Sequence, residues 1–371
     1  LEVVQEQTLQ KKILILHTAF LGDLLLSIPF LLNLKKLYPE YHISLICRNH
    51  VGDFFIKTKL VDKVFEIKKG DANTYSMVKS ELKSTVFDLF FCPHQSARSY
   101  FFSLGVRAKI KIGYKQWYNL LFYSHRVERD LTLPEPLRML QLLAPLSADI
   151  KQKIELVKQA GAFYKKQEYK LPDVPNWATQ DLSERIETDS FSFFSLKKKL
   201  DLPEKNKKWI CVFPGSVWET KKWRRENYQE LIETLSKEHA VFIMGAPGEE
   251  GLCDAIYLKI KNHENVFNLS GQTSVYESAL VIGHSDLVIG NDSASSHLAS
   301  VCNKKLITFF GPTVLDFGYR PWGNQVYVFE NENIKCRPCG MHGHHKCPIG
   351  THECMKSIKT ASVASFIQKI I

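Results

Sequence analysis

In LVIGNDSASSHLASVC a buried apolar run ends at Asn291-Asp292 and opens into a turn of Ser293, Ala294, Ser295 and Ser296. Small residues let a ligand approach the backbone, and the free N–H groups of a first helical turn attract anions. The serine hydroxyls add donors, and His297 lies one turn in, on the side such an anion would face. A phosphate suits this pattern; so does an ordinary helix capped by Asp292 or Ser293. PGSVWETKKWRREN follows another apolar run. Pro214 and Gly215 turn the chain, Gly215 and Ser216 are candidates to meet the donor, and Lys221, Lys222, Arg224 and Arg225 crowd positive charge at a helix start, where the dipole disfavours it. An anion held between the two turns would remove that objection. GAPGEE offers Glu249, either to accept from ribose hydroxyls or to cap a helix, and GPT, ending at Thr313, is a weaker turn of the same kind.

HTAFLGDLLLSIPF sets one acid, Asp23, inside an apolar stretch about as long as a membrane-spanning helix. A carboxylate at the centre of a span would cost roughly 2.5–3.5 kcal/mol, and Pro29 and Asn33 add to the difficulty. The stretch reads better as a strand, ILILH, a tight turn, and a helix capped by Asp23 that runs on through LLNLKKLY.

A third constellation lies near the end of the chain. Cys336 and Cys339 form a C-x2-C, followed by Cys347 and Cys354, with His342, His344, His345 and His352 interleaved. Close thiolates of this kind suit a tetrahedral structural Zn or Fe site, although the second half departs from a paired C-x2-C knuckle; reduced thiols or a labile disulfide remain open. The other five cysteines stand singly in apolar contexts and read as buried thiols of a reducing compartment.

The elements that must position these residues alternate between short β-rich runs and helical patterns, which predicts parallel sheets covered by helices. A length of 371 residues favours two domains, and 44% hydrophobic with 24% charged residues is globular composition. Residues 1–165 form one unit and 166–207 a connection with a helix. A second unit runs over 208–355, and 356–371 is an amphipathic helix expected to cross back onto the first. In such sheets ligands sit outside the carboxyl ends of the strands, where the turns collect. The net charge of +10 calls for an anionic partner. No nucleic-acid motif is present, so a phosphorylated small molecule or lipid headgroup is preferred over nucleic acid. GxGxxG after a strand, GxxxxGK[ST] and an Asp-x-Asp pair for a divalent cation are all absent from the sequence. A departing diphosphate would then be neutralised by Lys221 and the helix N-terminus. LEVVQEQTLQ has no charged region followed by an apolar run, so no secretory signal is expected.

Taken in order, LGDLLLSIPFLLNLKKLYP, PGSVWETKKW, GAPGEE, LSGQTSVYESALVIGHSDLVIGNDSASSHLA and FFGPT resemble the ADP-heptose:lipopolysaccharide heptosyltransferases of glycosyltransferase family nine, type II in particular; CRPC…CPIGTHECM resembles the end of many members. The resemblance implies a GT-B fold, two Rossmann-like domains with parallel sheets facing a central cleft, the first binding the acceptor and the second the nucleotide sugar. It implies inverting transfer of heptose from ADP-heptose to the Kdo/heptose inner core, with no cofactor required. The enzyme would be cytoplasmic, at the cytoplasmic face of the inner membrane. It places the general base on Asp23, the diphosphate contact on Lys221, the heptose and phosphate contacts on Asp292, Ser293, Ala294 and His297, and the ribose contact on Glu249. Ala294 stands where many members have glycine. Arg48, His94 and Arg98, at or just after strand ends, either pair with acceptor phosphate and carboxylate groups or are surface charge. Two alternatives stand beside this reading: a GT-B transferase with another nucleotide sugar or a protein acceptor, and a non-catalytic sugar-nucleotide or glycolipid binding module.

Overall fold

The computed structural model describes residues 10–371, so the reading of the N-terminal end as lacking a signal falls largely outside the described residues. The described residues fall into two compact units: those up to 130 with 136–160, and 131–135 with 161–371.

In the first unit, β1 (Lys12–Leu16), β2 (His42–Arg48), β3 (Lys63–Ile67), β4 (Val86–Cys92), β5 (Arg107–Tyr114) and β6 (His125–Val127) form one sheet in the order β3-β2-β1-β4-β5-β6. In the second, β7 (Trp209–Phe213), β8 (Ala240–Ile243), β9 (Val266–Asn268), β10 (Leu287–Asn291), β11 (Lys305–Phe310) and β12 (Val326–Glu330) follow the order β12-β11-β10-β7-β8-β9. Every pairing is parallel. Read from the other edge, the second sheet repeats the topology of the first. Both are doubly wound, and the strand order reverses between β1 and β4 in one and between β7 and β10 in the other. Ligands bind at such switch points because the crossovers diverge there to opposite faces and leave a crevice. The central strands are apolar on both sides, as helices on both faces require: Ile13 to Leu16 and Leu287 to Ile289 are buried throughout.

The apolar stretch around Asp23 divides as expected into a strand, a turn and helical residues, with a difference in the cap. The helix Leu21–Leu26 takes Phe20 at its N-cap, with no side-chain cap bond, and places Asp23 within its first turn. Helix formation breaks at Ser27, whose hydroxyl turns back to the Leu24 carbonyl, and restarts as Ile28–Leu37 with Pro29 in its first turn. Proline is tolerated there because the first-turn N–H groups have no intrahelical partner. Among the described residues no helix is long and apolar enough to cross a membrane.

The connection is a docked part of the second unit: Leu182 donates to the Val301 carbonyl and Ile186 lies against Gly283. ALVIG, read as part of a strand run, is the end of the helix Val275–Gly283, started by a capping box between Ser274 and Glu277. The final helix, Thr360–Ile370, buries its Val363, Phe366 and Ile367 in the second unit's core with Tyr228, Leu231 and Phe329.

Candidate functional site

The second unit gathers its turn residues at the β7/β10 switch point. Asp292, mostly buried, receives the Lys221 ammonium at 2.5 Å and the Thr313 hydroxyl at 2.7 Å on one carboxylate oxygen. Three turns that are far apart in sequence thereby meet on one atom. Beneath them the fully buried Asn291 ties the same turns at the backbone. Its amide donates to the carbonyls of Pro214 (2.9 Å) and Gly215 (3.1 Å), and its oxygen accepts from the Trp223 N–H (2.8 Å) and Tyr228 hydroxyl (2.9 Å). All four hydrogen-bonding positions of that amide are used. Sequence reasoning passed over Asn291 because a strand-terminal asparagine looks like turn chemistry; a polar residue ending an otherwise apolar run was the available signal.

The helix Ala294–Val301 begins directly above. His297 is buried, its Nδ1 has no protein partner, and burial, with Lys221 opposing protonation and Asp292 favouring it, holds its pKa down at about 4. It is a neutral imidazole with an unsatisfied polar atom, an arrangement that folded proteins rarely leave without cause. Ser293 and Ser295 bond each other at 2.8 Å. Ser296 departs from its expected ligand-facing place: its hydroxyl points into the fold, to the Asn291 carbonyl at 2.7 Å and Thr308 at 3.0 Å. Four consecutive small residues on a helix cannot all face one ligand, since each is rotated by about 100° from the last. Ala294 opens the first turn.

Glu249 sits at the N-cap position of the helix Glu250–Tyr257 but does not cap it. One carboxylate oxygen accepts from the Ala246 N–H at 2.9 Å. The carboxyl packs so close to Gly215 that a Cβ there would come within 2.2 Å of it, which explains the glycine. Ser216 is buried beside it and accepts weakly from the Trp218 N–H. The basic run is divided. Only Lys221 enters the site; Lys222 pairs with Glu219, and Arg224 and Arg225 with Glu226 at the exposed helix start.

The cysteine segment packs against the Lys221 and Thr313 turns. Among the described residues no three Cys, His, Asp or Glu side chains are arranged to hold a metal ion. Two of the four histidines are engaged with backbone, His344 Nε2 with the Cys339 carbonyl (2.7 Å) and His352 Nε2 with the Thr220 carbonyl (2.8 Å), while His342 and His345 lie beside the Trp218 ring. Cys339 bonds the Cys336 carbonyl through its thiol, the buried Cys354 is pushed up to about 11 by burial, and Cys347 accepts the His352 N–H. The segment buttresses the site. The His344 N–H donates to the Thr220 hydroxyl at 2.7 Å, next to Lys221, and Arg337 donates to the Thr313 carbonyl at 2.7 Å. Gly343 lies where a Cβ would be 2.6 Å from Trp218, so its hydrogen is what lets the segment approach the Lys221 loop. Cys47, Cys92, Cys211, Cys253 and Cys302 are buried free thiols, as expected.

In the first unit Asp23 follows β1 at the β1/β4 switch point. The turn bearing it is stapled to both flanking strands: the Thr18 N–H donates to His94 Nε2 at 2.8 Å, and the Thr18 carbonyl accepts from Arg48 Nε at 3.2 Å. His94 Nε2 is thus occupied by the backbone of the turn. With Nε2 accepting it is neutral, its proton on Nδ1, and burial followed by the charges of Lys69, Arg129 and Arg48 lowers its pKa to about 4. His17, edge-on to His94 with ring centroids 5.2 Å apart, is held well below the normal histidine range by burial and then by His94. Arg48 also lies 4.0 Å from the Phe20 ring. Arg98 is in the first turn of the helix Ala97–Ser103. Lys69, missed in the sequence although IKKGD ends a strand, is depressed by burial and then by Arg48 and Arg98. Lys69 thus lies within the field of Arg48 and Arg98, and among the described residues none of the three has a carboxylate within salt-bridge distance.

The sequence pattern of glycosyltransferase family 9 (heptosyltransferase) matches residues 76–346. The chain belongs to that family. It is 33% identical over 181 residues to lipooligosaccharide heptosyltransferase 2 of Campylobacter jejuni serotype O:6, covering 48% of this chain and 56% of that one. That match spans about half the relative's length. A longer match, 24% identical over 333 residues, joins it to lipopolysaccharide heptosyltransferase 3 of Escherichia coli, with 84% and 86% of the chains covered. In fold it is similar to the E. coli ADP-heptose lps heptosyltransferase II, TM-score 0.71 at 16% identity, covering 97% of this chain and 98% of that one. The GT-B expectation holds.

Proposed function

We propose that this family 9 member transfers heptose from ADP-heptose to a Kdo or heptose residue of the lipopolysaccharide inner core, with inversion and without a metal. The observation that carries the reading is the meeting of Lys221, Thr313 and Asp292 at the second switch point, beside the orphaned nitrogen of His297. A nucleotide diphosphate arriving there offers Lys221 a second anion. The first-turn N–H groups of Ala294–Val301 add donors, Asp292 and His297 can take sugar hydroxyls, and Glu249 takes the ribose.

In the reaction the acceptor hydroxyl oxygen attacks the anomeric carbon and its proton passes to the Asp23 carboxylate. The bond from that carbon to the β-phosphate oxygen breaks, and its electron pair leaves on ADP. Lys221 meets the charge that develops there, so no cation need be recruited. A positioned base contributes typically ~10²–10⁴ in rate, against only about 1 kcal/mol of stability for a helix-cap acid. Arg48, Lys69 and Arg98 supply cations for the phosphates and carboxylates of the acceptor, which is carried on lipid at the cytoplasmic face of the inner membrane. The cysteine segment braces Lys221 and Thr313.

ADP release from ADP-heptose, with Kdo2-lipid A and its mono-heptosylated form as separate acceptors, tests the proposal. Acceptor-dependent release by wild type, lost ~10²-fold or more in Asp23→Asn at unchanged donor affinity, is expected. Full turnover in Asp23→Asn refutes the base. No release with either acceptor, beside tight binding of another nucleotide sugar, keeps the fold and moves the donor; tight donor binding without turnover under any condition marks a binding module.

A further inference from the structure

The first unit carries an apolar surface that its core does not use. Between β5 and β6 the chain forms a short 3₁₀ turn, Trp117–Asn119, then Leu120 and Leu121. Trp117 is 87% exposed, Leu120 61% and Leu121 98%. The backbone presenting them is firmly built. Buried Asn119 donates to the Tyr114 carbonyl (2.8 Å) and accepts from the Gln116 N–H (3.0 Å) and Arg126 Nε (3.2 Å), while Arg126 Nη2 donates to the Gln116 carbonyl (2.9 Å). A buried asparagine and an arginine hold a loop whose three largest apolar side chains face water.

An aromatic belt extends the surface to the helix Ala97–Ser103. Tyr100 packs edge-on to Tyr118 (5.2 Å) and Phe122 (5.5 Å) and beside Phe101 (5.6 Å), which is itself 63% exposed. Cations accompany the belt. The Lys111 ammonium lies 4.0 Å from the Phe122 ring and that of Lys79 5.3 Å from Phe102. Lys79 and Arg98 line a cleft of about 480 Å³ with Tyr75 and Phe101.

From this juxtaposition we infer that the Trp117–Leu121 turn and the Phe101 belt are a docking surface for an anionic lipid bilayer. Leucines at the tip enter the acyl boundary, tryptophan and tyrosine suit the headgroup level, and the lysines meet anionic headgroups. Charge complementarity is what selects this occupant, in a chain of net charge +10. The inference deepens the proposed function by supplying a surface for a lipid-borne acceptor, and it stands whichever sugar is transferred.

The test is cosedimentation of the full chain with vesicles of phosphatidylglycerol and phosphatidylcholine in equal parts, and with phosphatidylcholine alone. Wild type is expected to bind the anionic vesicles, more weakly at high salt. Trp117→Ser/Leu120→Ser/Leu121→Ser is expected to lose roughly 100-fold or more in partitioning, since three apolar anchors are removed. Its melting temperature, and its ADP release with a water-soluble deacylated acceptor, should match wild type, which separates failure of this surface from failure of the sugar-transfer reading. Trp117→Phe, retaining an apolar ring, should keep most of the binding. Equal vesicle binding by wild type and the triple variant overturns the inference. So does a wild-type dimer in sedimentation velocity that the triple variant abolishes without any vesicle binding, because the occupant is then a second copy.

Discussion

Lys221 and Asp292 can be separated into a structural pair and a catalytic charge by one double-mutant cycle. Their side chains are nearly enclosed, 14% and 9% exposed, with Nζ 2.5 Å from Oδ2. Lys221→Met leaves Asp292 with the Thr313 hydroxyl as a remaining donor. Removing one partner of a fully enclosed pair costs ~3–5 kcal/mol. Residual water access and the retained hydroxyl reduce this to about 2–3 kcal/mol, or a fall in melting temperature of roughly 5–10 °C for a unit of this size. If the ammonium also neutralises the departing diphosphate, turnover falls a further ~10²–10³, the typical loss of one preorganised donor. Asp292→Asn added to Lys221→Met removes the stranded charge, and the amide can still accept from Thr313. The double variant should therefore recover most of the melting temperature and none of the turnover. ADP release under saturating ADP-heptose and differential scanning calorimetry read the two quantities on the same preparations. Recovery of turnover together with stability would show that Lys221 matters only as the partner of Asp292, and would refute the argument for a leaving-group cation.

Other consequences follow from the same geometry. Asn291→Leu strands the Trp223 N–H, the Tyr228 hydroxyl and two carbonyls in the core; at ~1–3 kcal/mol for each buried group left unsatisfied, urea unfolding should show a loss of at least about 3 kcal/mol. Gly215→Ala drives the Glu249 carboxyl off the β7 turn, so the Michaelis constant for ADP-heptose should rise several-fold while the melting temperature changes little, a shift that steady-state kinetics detects. His94 and His297, both held neutral with pKa values of about 4 against 6.5 for the free side chain, bind fewer protons folded than unfolded between those values. Their contribution to stability is complete above pH 6.5 and is lost as pH falls toward 4, by up to roughly 3 kcal/mol each. His297→Gln should flatten the acid limb of stability against pH measured by urea titration, and an unchanged limb would contradict the burial argument.

Much of the fold was legible because doubly wound sheets write themselves as apolar runs ending in small or polar turns: ILILH, HISLIC, WICVF and KLITFF are strands. Asp23, Lys221, Asp292 and Thr313 were equally legible, each lying in the turn after a strand, where this topology collects ligands. Their convergence was not. The ammonium of Lys221 reaches Asp292 across 71 residues of sequence, and composition offers no reason to choose it over Lys222, which pairs locally with Glu219. Ser296 has the same local sequence signals as its neighbours but turns inward, because helical rotation assigns it the face that covers Asn291 and Thr308. Spacing suggested a structural metal for Cys336, Cys339, Cys347 and Cys354; that His344 and His352 meet backbone carbonyls depends on contacts that no spacing encodes. By itself, then, the sequence determined the alternation of strands and helices, the apolar core and the residue types waiting at each strand end, since these depend on local periodicity and turn chemistry. Which of those residues share an atom, which imidazoles stay neutral and which cations fall within one another's field was decided only by the tertiary structure, because burial, desolvation and long-range hydrogen bonds exist only once distant turns are brought together.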